Sequence, residues 1–170
     1  MEKPRVRGET WREDLQREGI IYVSDPEEVR RLLAEKIVLP CTRCSKTKGS
    51  EGDEAVPRNF YLSRQNIQFY KWAEAHNLEY GILSDLYGMH FWDVKKPFYD
   101  IHPSSLTEEQ FQELGQLIKK EMDSRGYRAA LYWNSSPVMS VPYFYMFKMA
   151  GIQVYYITKL PSLKMYSFDL

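Results

Sequence analysis

Short apolar runs alternate with amphipathic segments along most of this chain. Five runs have the length and apolar content of buried strands: 20–23, 37–39, 80–83, 127–133 and 152–158. Five segments carry the periodicity or end signals of helices: 10–18, 25–36, 64–76, 107–124 and 140–150. Because strands that alternate with helices build parallel sheets, the pattern predicts an α/β fold. We expect a three-layer sandwich with a mainly parallel central sheet.

A capping box and a proline define the boundaries of the predicted elements most sharply. Thr107 and Gln110 form a capping box at the start of the fourth helix. Pro40 is expected to end the second strand, since proline cannot donate to a strand ladder. Long polar loops are then predicted over 41–57 and 84–105.

Three predicted strands run directly into polar segments, which begin at Cys41, Ser84 and Asn134. In open α/β sheets, ligands bind beyond the carboxyl ends of the strands. The order of elements therefore predicts one pocket built from these three segments.

Length and charge narrow the class of protein. The 170 residues predict a single domain over 1–170, with a helical extension at 1–19 and an unassigned tail at 160–170. Lys and Arg total 23, as do Asp and Glu, which argues against a protein that relies on phosphate-backbone contacts. No stretch approaches the roughly 20 apolar residues of a membrane span, and the charged N-terminus lacks a secretory signal. We expect a cytoplasmic protein with no membrane partner.

The segment from Cys41 to Gly49 contains a C-x-x-C pair followed by a small cationic loop. Such a pair is typical of dithiol redox chemistry or of half a zinc site. A second pair of ligands at short spacing is missing from the sequence, so we predict no metal and no cofactor. The hydroxyls and lysines of the loop could hold an anion or polarise a carbonyl or nitrile, although a solvated basic loop would have the same composition.

The segment from Ser84 to Asp100 mixes aromatic rings with polar side chains. Tyr87 and Tyr99 offer flat apolar surface, Ser84 and Asp85 offer acceptors, and Gly88 can supply a left-handed turn. This mixture suits a heteroaromatic base, which stacks on its faces and hydrogen-bonds at its edge. The alternative is an aromatic loop that covers the core.

Four short motifs in the central part of the chain resemble those of a family of small bacterial and archaeal α/β proteins. The motifs are Cys44-Ser45-Lys46-Thr47-Lys48, Tyr61-Leu62-Ser63, Ile82-Leu83-Ser84 with Tyr87-Gly88, and Pro97-Phe98-Tyr99-Asp100. The first motif also resembles the central domain of archaeosine synthase, in which the lysine is implicated in addition to the nitrile of a 7-deazaguanine base. The third resembles YaaA-type peroxide-stress proteins.

The resemblance implies an enzyme that handles a nucleobase or nucleotide, with amidotransferase-like or glycosylase-like chemistry. Its substrate would be a modified purine, either as a small molecule or carried by tRNA, with weak nucleic-acid contact. The catalytic candidates are Lys48, Asp85 and Asp100. The candidates for substrate binding are Cys44, Ser45, Lys46, Tyr61, Ser63, Ser84, Tyr87, Gly88, Tyr99, Asn134 and Ser135.

Two other functions stay open from the sequence. The protein could be a nucleic-acid-binding stress protein of the YaaA type, which would require strongly salt-dependent binding. It could also be a redox or metal protein that uses Cys41 and Cys44. The sequence does not indicate an oligomeric state.

Overall fold

A computed structural model of the chain describes residues 1–45, 54–99 and 105–164. Within these ranges the strands are β1 (Ile21–Tyr22), β2 (Val38–Arg43), β3 (Glu54–Ala55), β4 (Gly81–Ser84), β5 (Gly88–Phe91), β6 (Lys96–Pro97), β7 (Ala129–Trp133) and β8 (Gln153–Ile157). The helices are α1 (Trp11–Arg17), α2 (Pro26–Ala34), α3 (Pro57–Phe60), α4 (Arg64–Ala75), α5 (Glu108–Ser124) and α6 (Val141–Ala150). A 3-10 turn at Val138–Ser140 leads into α6.

Six strands form one sheet in the order β1-β8-β7-β2-β4-β5. All neighbours in this sheet run parallel except β4 and β5, which are antiparallel. The strands β3 and β6 form a separate two-stranded antiparallel pair. The predicted α/β fold with a mainly parallel central sheet is confirmed.

Helices cover both faces of this sheet, as two consecutive residues of β7 show. Trp133 stacks on Phe69 of α4, with ring centroids 6.2 Å apart. Tyr132 meets Phe144 of α6 edge-on at 5.5 Å. Because successive side chains in a strand point to opposite faces, α4 and α6 lie on opposite sides of the sheet.

Pro40 does not end β2, contrary to the prediction, and the strand continues to Arg43. The amide of Cys44 donates to the carbonyl of Leu83 on the β4 side. Alternate residues of a strand point the same way, so the nitrogen of Pro40 also faces that side. Pairing with β4 begins only at Cys41, so the missing N–H of Pro40 interrupts no bond in the ladder.

The predicted loop over 84–105 was wrong in its first part, where the chain forms a hairpin. Residues Gly88–Phe91 return along β4 as the edge strand β5. Gly88 has a φ of 75°, which confirms the predicted left-handed turn. A Cβ at Gly88 would lie 3.1 Å from the Leu117 side chain of α5, so the glycine also permits close packing there.

The predicted helices agree closely with the structure. The capping box of α5 is present, with Thr107 and Gln110 each bonded to the other's backbone amide. The N-terminal helix α1 is joined to the preceding segment by buried Asp14, which accepts from the backbone amide of Arg7 at 2.9 Å and the Thr10 hydroxyl at 2.9 Å. In the part of the chain that the structure describes, no helix is both long and apolar enough to cross a membrane.

Candidate functional site

Polar side chains meet where β2 and β4 end. Cys44 follows the last residue of β2, and Ser84 and Asp85 stand at the end of β4. The Cys44 thiol donates to Oδ2 of Asp85 at 3.3 Å, and its sulfur lies 3.7 Å from the Tyr143 hydroxyl in the first turn of α6. All four side chains are buried. The carboxyl edge of the sheet thus brings a thiol, a carboxyl group and a phenol into contact.

A chain of hydrogen bonds extends from Ser84 toward the edge strand β5. The Ser84 hydroxyl lies 2.7 Å from the Tyr99 hydroxyl, which lies 3.4 Å from that of Tyr61. The Tyr61 hydroxyl in turn lies 3.1 Å from Nδ1 of His90, whose Nε2 is 2.6 Å from the carbonyl of Val94. We call Cys44, Tyr61, Ser84, Asp85, His90, Tyr99 and Tyr143 the edge cluster.

Elementary valence fixes the direction of this chain of hydrogen bonds. A carbonyl oxygen only accepts, so Nε2 of His90 carries the proton and Nδ1 accepts from Tyr61. Tyr61 therefore accepts from Tyr99, and Tyr99 accepts from Ser84. The Ser84 oxygen also accepts from the amides of Leu86 and Tyr87, at 3.2 and 2.9 Å.

Burial keeps the tyrosine and histidine side chains of these hydrogen bonds uncharged. It raises the pKa of Tyr61 and of Tyr99 above the ordinary tyrosine value, chiefly because the phenolate would be desolvated and secondly because of the nearby Cys44. Burial also lowers the pKa of His90 to about 4. At neutral pH the three side chains therefore present hydrogen-bonding groups without net charge.

Aromatic rings surround these polar groups. The ring of Tyr99 meets Tyr87 edge-on at 5.3 Å and lies 5.5 Å from Phe60. Phe60 also lies 4.6 Å from Phe98. Tyr87 and Tyr99 are only half-buried, so part of this aromatic surface faces outward. Flat apolar rings beside hydrogen-bonding groups are the combination that the sequence predicted for a heteroaromatic ligand.

The structure brings several predicted site residues together and leaves others apart. Cys44, Tyr61, Ser84, Asp85 and Tyr99 all belong to the edge cluster. Ser45 is buried directly after Cys44, and Tyr87 contacts the cluster through its ring while its hydroxyl donates to the carbonyl of Pro97 at 2.6 Å. Lys46, Lys48 and Asp100 lie outside the described residues.

Three predicted binding residues have contacts within the fold. Ser63 caps α4 by accepting from the amide of Asn66 at 3.3 Å. Asn134 is buried after β7, where its carbonyl accepts from the Tyr156 hydroxyl at 2.7 Å. Ser135 is exposed and lies 3.4 Å from Nε2 of Gln65.

The sequence prediction missed three residues at this edge. His90 became part of the site only through the β4–β5 hairpin, which Gly88 could have indicated. Tyr143 lies in α6, whose residues are apolar or aromatic except for Lys148, so its sequence context carried no signal. Arg43 stands inside the C-x-x-C pair, directly before Cys44, and that position is the signal that could have indicated it.

The two cysteines are separated by the extended strand. Cys41 lies within β2 and Cys44 just beyond it, and both are buried free thiols. Three residues of strand span about 10 Å, whereas a disulfide needs Cα atoms within about 7 Å. A disulfide would require this end of β2 to leave the sheet. Across residues 1–45, 54–99 and 105–164, no group of three or more His, Cys, Asp or Glu residues is placed to hold a metal.

Comparison of the chain with family models, curated proteins and solved structures gives no match. The chemistry of the edge cluster follows from its own geometry. Its hydroxyls and carboxyl group can accept or donate hydrogen bonds at the edge of a planar ligand, and its rings can contact the faces.

Proposed function

We propose that this chain is an enzyme that binds and acts on a nucleobase or nucleotide at the edge cluster. The observation that carries the proposal is the contact between buried polar groups and half-buried aromatic rings at the carboxyl ends of β2 and β4. A purine needs both features, because its edge carries fixed donors and acceptors and its faces are apolar.

The groups of the edge cluster have distinct roles in this proposal. Asp85 accepts an N–H of the base, and Ser84 and Tyr99 provide hydroxyl groups for its edge. The ring of either Tyr87 or Tyr99 contacts a face of the base, since the two rings are perpendicular and cannot both lie flat on it. The neutral His90 and Tyr61 hold Tyr99 in one orientation, which limits the entropy lost when the ligand binds.

The cation in this mechanism comes from the segment that follows Cys44 in the sequence. Lys46 and Lys48 follow Ser45, and Asp100 follows Tyr99. We propose Lys48 as the nucleophile or electrostatic catalyst, since a lysine beside a water-poor site becomes nucleophilic when desolvation lowers its pKa. Asp100 would accept a proton or an N–H.

Calorimetric titration with 7-deazaguanines and common purines tests the proposal. We expect wild-type protein to bind at least one of these bases, and Asp85→Asn to weaken that binding about 10-fold, or about 1.4 kcal/mol. Lys48→Met should reduce turnover of the bound base. Tyr155→Phe is the matched control, because Tyr155 lies on β8, outside the edge cluster.

Absence of binding by both wild-type protein and Lys48→Met at millimolar base would end this proposal. An equal loss of affinity in Tyr155→Phe and Asp85→Asn would also contradict it, because the effect would then be one of stability. Binding of RNA or DNA that weakens steeply with salt, without binding of free bases, would instead favour the nucleic-acid-binding alternative.

A further inference from the structure

Arg43 is a partly buried cation without an acidic partner in the described part of the chain. Its Nη2 donates to Oε1 of Gln65, the second residue of α4. Its Nε is buried and has no hydrogen-bond partner among the described residues. No ion pair between described residues includes this guanidinium, although several other arginines are paired with carboxylates.

A buried N–H without a partner is costly, and such exceptions in folded proteins call for an explanation. The cost is larger for a charged group, since an unpaired cation is also poorly solvated. Arg43 therefore has unused capacity for an anionic acceptor at the place where β2 ends.

The surroundings of Arg43 favour an anion further. The first turn of α4 contains no acidic residue, and its N-terminus carries a partial positive charge. The cap residue Ser63 accepts a hydrogen bond from the amide of Asn66, the third residue of α4. Gln65 accepts from Arg43 through Oε1 and donates through Nε2 to the Ser135 hydroxyl at 3.4 Å, so this amide links the guanidinium to a second polar side chain.

We propose that Arg43 binds an oxyanion of the ligand, a phosphate or a carboxylate, and is a specificity-determining residue. The planar fork of a guanidinium matches two oxygens of either group and includes the Nε that is otherwise unpaired. Gln65 and Ser135 lie at the sides of the bound anion.

This proposal rests on the proposed function and makes its substrate more specific. Arg43 and Cys44 are consecutive, so the oxyanion site adjoins the edge cluster at the end of the same strand. Their side chains leave the strand in different directions. A ligand that spans the strand end would therefore place its base on one side and its anionic group on the other. We infer that the ligand is a nucleotide or another base with an acidic substituent, and not an uncharged base.

Paired ligands test the inference. We would titrate guanosine and guanosine 5′-monophosphate into wild-type protein, Arg43→Gln and Arg128→Gln. Wild-type protein should bind the monophosphate about 10-fold or more tightly than the nucleoside. Arg43→Gln should lose that preference while keeping its affinity for guanosine. The control Arg128 is exposed and precedes β7, at the opposite edge of the sheet, so Arg128→Gln should keep the preference.

Small anions separate this inference from the proposed function. Inorganic phosphate or acetate should raise the unfolding temperature of wild-type protein more than that of Arg43→Gln, and the stronger of the two identifies the anion. If an anion acts through Arg43 while neither guanosine nor its monophosphate binds, the anion site stands and the nucleobase proposal fails. If guanosine binds but both variants and wild-type protein respond equally to every anion, the Arg43 inference is overturned.

Arg43→Lys covers a failure of Arg43→Gln to fold. Lysine keeps the charge but lacks the fork, so the preference for the monophosphate should fall to an intermediate value. A wild-type preference in Arg43→Lys would contradict recognition by the guanidinium.

Discussion

Two tyrosine networks at the carboxyl edge of the sheet use the same residue type in different ways. On the side of β7 and β8, the hydroxyl of Tyr156 donates to the carbonyl of Asn134 at 2.7 Å. Tyr132 donates to Ser140 at 3.1 Å, and Ser140 donates to the carbonyl of Ser136 at 2.7 Å. Each path of hydrogen bonds ends on the backbone of the segment that leads into α6.

In the edge cluster, on the side of β2 and β4, the hydroxyl of Tyr99 connects Ser84 with Tyr61. The ring of Tyr99 is half-buried, and the adjoining groups are a thiol and a carboxyl. A buried tyrosine is structural when its hydroxyl only completes a turn. It is a candidate for function when it stands between reactive groups and an open face.

The largest effect that we expect from this comparison is the pH dependence of stability caused by His90. Its pKa is about 4 in the fold and 6.5 when unfolded, so the unfolded chain binds an additional proton between these values. Stability contributed by neutral His90 is complete above pH 6.5 and is lost as the pH falls to about 4. The loss is about 3 kcal/mol.

Urea unfolding of wild-type protein and His90→Gln across pH 4 to 7 measures this contribution, because the glutamine does not titrate. The free energy of unfolding of wild-type protein should fall more steeply with decreasing pH than that of the variant. Equal slopes would show that His90 is not buried as a neutral group.

The second prediction compares one hydroxyl from each network. Tyr156→Phe leaves the carbonyl of Asn134 without its donor, and Tyr99→Phe leaves the Ser84 hydroxyl without its acceptor. Each should lower the free energy of unfolding by about 1–2 kcal/mol. Only Tyr99→Phe should also weaken binding of a purine, by about 10-fold. Similar loss of ligand affinity in Tyr156→Phe would remove the distinction between the two networks.

The smallest expected effect is the response of the two thiols to mild oxidation. Cys41 is fully buried within β2, and burial raises the pKa of its thiol well above the ordinary value. Because the strand also holds Cys41 and Cys44 apart, native protein treated with diamide should keep its mass under non-reducing conditions. A mass lower by two hydrogens would restore the dithiol alternative. Oxidation in urea serves as the control, since the unfolded chain can bring the thiols together.

The sequence predicted the sheet and its helices well where local signals were strong. Thr107 and Gln110 defined the start of α5, and the apolar runs located the parallel strands. It was wrong at Pro40 and in the β4–β5 hairpin. The effect of Pro40 depends on where β4 begins to pair, and the hairpin depends on an edge position, so neither is decided by residues nearby in the chain.

Within the candidate site, the sequence predicted Cys44, Ser84 and Tyr99 as binding residues because they lie at strand ends or belong to an aromatic loop. It could not separate them from Asn134, which also follows a strand. Only the hydrogen-bond partners make that distinction, since Asn134 is satisfied by the β7–β8 network.

The sequence by itself determined the succession of the parallel strands and of the longer helices, and with it the edge at which polar segments collect, because hydrophobic periodicity and capping act over a few residues. The tertiary structure alone decided which polar groups meet there. Tyr61, His90 and Tyr143 come from separate parts of the chain, Tyr143 to contact Cys44 and the other two to join Ser84 through Tyr99. Among the described residues, no acidic side chain pairs with Arg43. Such contacts depend on the packing of the whole chain, which no local pattern encodes.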